Sequence, residues 1–259
     1  MSFFIKEKAK MPNHSHYFPI LPPFLSAGND KSEKKKEQKC EKRTEIEKDG
    51  AVEVDIQNGR IHCLTIIGQI EGHYILGERE KATKYEHLIP LLVSIEESDE
   101  VDGLLIILNT MGGDVEAGLA ISEMIASMKK PTVSLVLGGG HSIGVPLAVA
   151  SNCSFIVPSA TMTVHPVRIN GTVIGSPQTY NYLRDMQNRI ERFIISHSKS
   201  TKNKLSSLMM KADEMATDIG SILEGDEAVA VGLIDKIGGL SEALSELRKL
   251  IDAQKNAKN

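Results

Sequence analysis

From about residue 52 onward, short apolar runs alternate with helical patterns, and this alternation limits the folds open to the chain. The runs are rich in Val, Ile and Leu and almost free of polar residues, which is typical of strands buried on both faces of a sheet. Strands that alternate with helices predict an α/β fold. The predicted strands are 62–67, 103–108, 132–137, 153–157, 162–164 and 233–234.

Helices are predicted between these strands, at 85–95, 115–128, 142–150, 177–197, 204–216, 227–231 and 241–250. The helix at 177–197 has the clearest start, because Ser176 fits an N-cap and Pro177 fits the first helical position. Apolar residues recur along it at three- and four-residue steps from Tyr180 to Ile194. One face of this helix is therefore apolar over about five turns and must pack against something.

The first 50 residues differ in character from the rest. Four prolines oppose an early helix, and residues 31–49 mix Lys and Glu with almost no apolar side chain. The segment carries 11 Lys or Arg and 8 Asp or Glu. We expect a disordered, weakly basic tail at 1–50, with peripheral contact to anionic lipid or to a partner as its alternative role, and a single domain at 51–259.

Composition excludes several classes of protein. The chain has 259 residues and a formal charge of −4, so no basic excess favours nucleic acid as a partner. Its three cysteines have neither disulfide-framework nor zinc-ligand spacing, which fits a reducing cytosol. No secretory leader and no apolar stretch of ~18 residues is present, so neither export nor a membrane span is expected.

A first candidate site lies at residues 109–114, which read Asn-Thr-Met-Gly-Gly-Asp between a predicted strand and a predicted helix. Two glycines there allow a sharp turn and leave amide groups at a helix N-terminus unobstructed, which suits an oxyanion. A tight strand-to-helix turn explains the same residues. A phosphate loop is disfavoured, because no Lys-Ser or Lys-Thr follows the glycines.

A second candidate is stronger. Residues 138–144 read Gly-Gly-Gly-His-Ser-Ile-Gly, again between a buried strand and an apolar helix. A sharp turn would expose the hydroxyl of Ser142 as a nucleophile, and the amide of Ile143 would face an oxyanion. The alternative is an N-cap serine. His165, at the end of a short apolar strand, is the candidate base; the other seven histidines, His141 included, are assigned no role.

Together these motifs resemble the Clp peptidase family of self-compartmentalising serine proteases, and most closely its translocation-enhancing TepA branch. The resemblance covers residues 59–239. It includes the Met-Gly-Gly turn at 111–113 (the glycine turn), the glycine-flanked Ser142, the Val-His-Pro strand at 164–166 and the Gly-Leu-Ile-Asp segment at 232–235. Gly113 precedes Ser142 by 29 residues, the interval usual in the family.

The resemblance implies a ββα spiral fold, shared with crotonases, and a serine endopeptidase that acts through an acyl-enzyme. Ser142 would be the nucleophile and His165 the general base, with the backbone amides of Gly113 and Ile143 as the oxyanion hole. It further implies peptides or unfolded proteins as substrates, a homo-oligomeric ring, an AAA+ unfoldase as partner and a place in the cytoplasm. No cofactor and no metal are implied.

The third catalytic residue departs from the family pattern, because the usual aspartate position falls on Gly220. Asp218 is the nearest candidate acid, and Asp213 and Glu214 are weaker ones inside a predicted helix. Residues 220–225 also resemble the corresponding pattern of signal peptide peptidases, which use a Ser-Lys dyad.

Three other interpretations stay open. Residues 140–144 fit the G-x-S-x-G motif of α/β-hydrolases, although that fold needs a late histidine and none follows His197. A crotonase-like acyl-CoA enzyme would share the spiral and the oxyanion amides. A scaffold or regulatory subunit with a degraded triad fits the missing aspartate. The favoured prediction is a cytosolic ClpP-like serine endopeptidase, linked to protein translocation or quality control.

Overall fold

The predicted α/β architecture is confirmed by the computed structural model of the chain, which describes residues 51–57, 59–77, 79–169, 174–212 and 219–258. The predicted tail at 1–50 lies outside the described residues. Among the described helices, none combines the length and the apolar character that crossing a bilayer requires.

The strands form a mostly parallel sheet with the order β1-β2-β4-β5-β6-β9, to which β3 adds through β2, and β7 and β8 add through β5. The β1–β2 and β7–β8 pairs are antiparallel. The strands are β1 (Ala51–Ile56), β2 (Gly59–Glu71), β3 (Ala82–Lys84), β4 (Gly103–Gly113), β5 (Thr132–Gly140), β6 (Cys153–Ile156), β7 (Thr161–Val164), β8 (Ser221–Glu224) and β9 (Lys236–Ile237).

Helices cover both faces of this sheet, as the continuous apolar strands predict. They are α1 (Tyr85–Glu97), α2 (Val115–Ser127), α3 (Gly144–Val149), α4 (Ser176–Ser196), α5 (Lys202–Met209), α6 (Gly225–Ala230) and α7 (Leu240–Lys258). Alternate strand residues such as Leu104 and Leu105 belong to two separate apolar clusters. The second cluster includes Leu247 and Ile251 of α7, so this helix seals the face opposite α1 and α2.

Two predicted elements are wrong in place or extent. Leu233 and Ile234 are buried but form no strand, because both amides donate to the carbonyl of Ala228 at 3.0 and 3.2 Å and close a turn after α6. Strand β9 begins two residues later. The helix predicted at 204–216 ends at Met209, where the backbone of Met210 leaves helical geometry, and residues 213–218 lie outside the described part of the chain.

Two predicted helix starts are also displaced. The N-cap of α4 is Gly175, whose φ of 71° is left-handed, so Ser176 is the first helical residue rather than the cap. Helix α3 begins at Gly144 instead of residue 142, because Ser142 has a φ of 58° and cannot continue a right-handed helix. Strands β1, β3 and β8 were not predicted, since they are short or carry exposed polar residues.

The apolar face of α4 packs largely within the chain. Met186, Ile190, Phe193 and Ile194 are buried against the core, as the periodicity predicts. The first turns of the helix behave differently, because Tyr180 is 66% exposed. Only this N-terminal half of the apolar stripe is therefore available to another molecule.

Asp235, the last residue of the Gly-Leu-Ile-Asp segment, stabilises the local fold. Asp235 accepts hydrogen bonds from the amide and hydroxyl of Ser154, both at 3.0 Å, and pairs with Lys199 at 2.8 Å. Burial alone would raise the pKa of Asp235, but the hydrogen bonds from Lys199 and Ser154 lower it on balance. This carboxylate therefore holds the turn before β9 against the start of β6.

Candidate active site

Ser142 lies in the turn between β5 and α3, and its backbone is left-handed, with a φ of 58°. It is the one non-glycine residue with positive φ in the described part of the chain. Its amide donates to the carbonyl of Thr163 at 2.9 Å, and its carbonyl accepts from Val145 at 3.0 Å. A left-handed serine held by two such bonds is the strained strand-to-helix geometry that presents a nucleophile.

His165 follows β7, and its Nδ1 atom lies 2.7 Å from the carbonyl oxygen of Pro166. Because a carbonyl oxygen only accepts hydrogen bonds, Nδ1 carries the proton in this contact. Nε2 is then the unprotonated nitrogen of the neutral ring and is able to accept a proton.

Ser142 and His165 line the same cavity, which has a volume of about 270 Å³. Strands β4 and β7, helices α2 to α5 and the segments that follow β5 and β7 supply its apolar wall. Arg168 is the one charged residue among the described lining residues. The apolar lining consists of Met111, Val115, Ile143, Val145, Val164, Pro166, Val167, Ile190, Ile194 and Met209. The cavity is therefore suited to an apolar group placed beside the serine hydroxyl.

Gly113 and Ile143, whose amides the family resemblance implies as an oxyanion hole, line this cavity as well. Gly113 has a φ of 153°, and a Cβ there would lie 2.2 Å from the carbonyl oxygen of Ile70. Its neighbour Gly112 has a φ of 92°, and a Cβ there would lie 2.7 Å from the Cβ of Ser142. Both glycines are thus required by the close approach of β4 to β2 and to the turn between β5 and α3 that contains Ser142 (the serine turn).

The third catalytic position remains a prediction. Asp218, Asp213 and Glu214 all lie outside the described residues. Gly220, which the resemblance places at the family's aspartate position, lies against the Cβ of His165.

One pair of side chains beside the serine was not predicted from the sequence. Nδ1 of His141 lies 2.8 Å from Oγ1 of Thr163, and burial lowers the pKa of His141 below the ordinary imidazole value. The alternation of the chain carried this signal, since Thr163 on β7 is two residues before His165 and extended residues two apart share a side. No group of three or more metal-ligating side chains occurs among the described residues.

Comparison with known proteins gives concordant results. The Clp protease family model matches residues 58–240. The chain is 55% identical over 200 residues to the translocation-enhancing protein TepA of Halalkalibacterium halodurans, which covers 77% of this chain and 78% of that protein.

More distant relatives point the same way. An ATP-dependent Clp protease proteolytic subunit of Streptococcus suis is 29% identical over 161 residues, or 58% of this chain and 76% of the relative. A proteolytic subunit 1 of Chlamydia muridarum is 26% identical over 137 residues, or 52% of this chain and 69% of the relative. With a family match over most of its length, and with the glycine turn and the serine turn meeting at one cavity, this chain belongs to the Clp protease family.

Proposed function

We propose that this chain is a serine endopeptidase in which Ser142 attacks the peptide carbonyl and His165 is the general base. The observation that carries the proposal is the strained Ser142, which opens onto the same cavity as His165. Nε2 of His165 takes the proton of the serine hydroxyl as Oγ bonds to the carbonyl carbon. The amides of Gly113 and Ile143 stabilise the resulting oxyanion.

The same imidazole then returns the proton to the leaving amine, which departs and leaves an acyl-serine. A water molecule, deprotonated by His165, hydrolyses this ester and restores the free hydroxyl. The Pro166 carbonyl supports both steps, because it keeps the proton of the neutral ring on Nδ1. We assign the third catalytic role to Asp218, as the acid that stabilises the imidazolium formed during attack.

The cavity supports a preference for an apolar side chain next to the scissile bond, because its wall is formed mainly by aliphatic residues. We propose peptides or unfolded proteins as substrates. We further propose a cytoplasmic homo-oligomeric ring with an AAA+ unfoldase as partner. The relatives named as ATP-dependent proteolytic subunits support the assembly and the need for ATP. A link to protein translocation is supported by the name of the TepA relative.

The proposal is tested by labelling with a fluorophosphonate, which reacts with activated serines, and by mapping the modified residue. We expect the label on Ser142, and turnover of a fluorogenic peptide with leucine before the scissile bond. Ser142→Ala should lose the label and reduce kcat by ~10⁴-fold or more. Ser127→Ala, whose hydroxyl bonds to Met124 within α2, is the matched control and should behave as the wild type. Unchanged turnover by Ser142→Ala would refute the assignment.

A scaffold or regulatory role is the second candidate, and the observation that favours it is Gly220 at the position of the family's aspartate. A folded wild-type protein that neither takes up the label nor cleaves peptides would support this role. A cellular phenotype that survives Ser142→Ala would do the same.

A further inference from the structure

We propose that His141 and Thr163 form a brace that sets the position of Ser142 relative to His165, and that they are positioning residues for catalysis. This inference rests on the proposed peptidase function. Strand β7 contacts the serine turn twice through Thr163, whose carbonyl accepts from the Ser142 amide at 2.9 Å. Its hydroxyl lies 2.8 Å from Nδ1 of His141.

His141 is itself held on several sides. Its amide donates to the carbonyl of Thr110 at 3.1 Å, and its carbonyl accepts from Gly144 at 2.8 Å. Its ring lies over Gly139, where a Cβ would be 2.6 Å from Nε2 and 2.7 Å from Cδ2. The glycine at 139 therefore leaves room for the imidazole, which explains one member of the glycine run that a simple turn does not require.

The brace affects the proposed catalysis because Thr163 lies close along the chain to the proposed base, His165. Thr163 and His165 are two residues apart at the end of β7, about 7 Å along the chain. A shift of the serine turn along β7 therefore changes the separation of Oγ and the imidazole directly. A displacement of about 1 Å between reacting groups can reduce a rate by about 100-fold.

Matched substitutions in β7 separate this role from a purely structural one. Thr163→Val removes the hydroxyl and keeps the shape, whereas Thr163→Ser keeps the hydroxyl. Thr161→Val is the control, because Thr161 is similarly half-buried on the same side of the strand. We expect Thr163→Val to lower kcat and the rate of fluorophosphonate labelling by roughly 10- to 100-fold, with KM within about twofold of the wild type. Thr163→Ser and Thr161→Val should keep wild-type rates.

A second pair of variants tests the imidazole without touching β7. Gly139 has no left-handed φ, and the two atoms nearest to a Cβ there belong to the His141 ring, with the Thr110 carbonyl oxygen next at 3.2 Å. Gly139→Ala should therefore act chiefly by displacing the ring of His141 and should lower the labelling rate. Once His141→Ala has removed the ring, adding Gly139→Ala should cost little more, and the two effects should be non-additive. His141→Asn, which keeps a polar group near the position of Nδ1, should recover most of the rate lost in His141→Ala.

The outcomes distinguish the brace from the function on which it rests. Wild-type protein that labels at Ser142, with Thr163→Val labelling at the same rate, overturns the brace alone. The brace is also overturned if Gly139→Ala and His141→Ala are additive. Wild-type protein that labels nowhere and cleaves nothing overturns both proposals. The brace is supported if Thr163→Val and Thr161→Val have equal melting temperatures and only Thr163→Val has a lower kcat.

Discussion

Gly220 lies directly against His165: a Cβ at position 220 would be 2.8 Å from the Cβ of the histidine and 2.6 Å from the carbonyl oxygen of Val164. Its φ of 142° also disfavours a side chain, and its amide donates to the carbonyl of Lys211 at 2.7 Å. The place that the family gives to an aspartate is therefore closed in this backbone. The proposed triad therefore needs an acid from another residue.

Gly220→Asp is consequently expected to damage the protein instead of restoring a triad. The left-handed backbone and the contact with Val164 should cost about 2 kcal/mol or more, which lowers the melting temperature by roughly 5 °C or more. Gly239→Ala is the matched control, because a Cβ there meets its nearest atom at 3.6 Å. The melting temperatures of the two variants, measured by calorimetry, and their rates of peptide turnover check this expectation. A variant with wild-type stability and higher kcat would show that an aspartate fits.

Asp218→Asn tests the acid that the sequence favours. We expect kcat to fall by roughly 10- to 100-fold, less than the ~10⁴-fold loss seen when a catalytic histidine also loses its tautomer. The smaller loss is expected because the Pro166 carbonyl still holds the proton on Nδ1 of His165. Steady-state kinetics beside Ser142→Ala measures it. Wild-type kcat would mean a Ser-His dyad or a different acid, and a loss equal to that of Ser142→Ala would mean that the carboxylate alone orients the ring.

The rate of peptide cleavage should depend on pH through the protonation of His165, the proposed base. A histidine accepts the serine proton only when neutral, so kcat/KM should rise with pH as the imidazole of His165 loses its proton. Measurement of kcat/KM from pH 5 to 9 checks this, with melting temperature recorded at each pH. A flat profile together with an active His165→Ala variant would point to a lysine base.

Stability should also depend on pH, through His141. Burial lowers the pKa of His141, so the unfolded chain binds a proton more readily than the folded chain. Stability is therefore full above about pH 6.5, the ordinary value, and falls as the pH drops towards the lower folded value. We expect the wild-type melting temperature to fall more steeply from pH 7.5 to 5.5 than that of His141→Asn. Parallel curves for the two proteins would contradict this.

The predicted homo-oligomer can be tested by substitutions in the exposed first turns of α4. Tyr180 and Tyr182 are 66% and 55% exposed. We expect an oligomer that uses the apolar stripe of α4 to bury Tyr180, which lies on it. We expect light scattering to give a mass several times 28.3 kDa for the wild type, and Tyr180→Lys with Tyr182→Lys to reduce it. Tyr74→Lys, on the loop after β2, is the control. A fully active wild-type monomer at micromolar concentration would refute the ring.

Some failures of prediction have a common cause. Leu233 and Ile234 satisfy every local criterion for a buried strand, yet their amides bond to Ala228 because α6 ends immediately before them. The short β8 was not recognised because Ser221 and its neighbours become a strand only by pairing with β7, in which Ser221 lies opposite Val164. Pairing over long sequence separations is not encoded in local propensity.

The α/β class, the strands of the core and the two glycine-containing turns are predictable from sequence, because buried parallel strands and sharp turns need particular residues at consecutive positions. The packed chain was needed to show that Gly113, Ser142 and His165 share one cavity, that Gly220 has no room for an acid, and that His141 reaches Thr163. These relations depend on how β4, β5, β7 and β8 meet. Distances between residues far apart in the chain follow from packing and strand register, which no single segment contains.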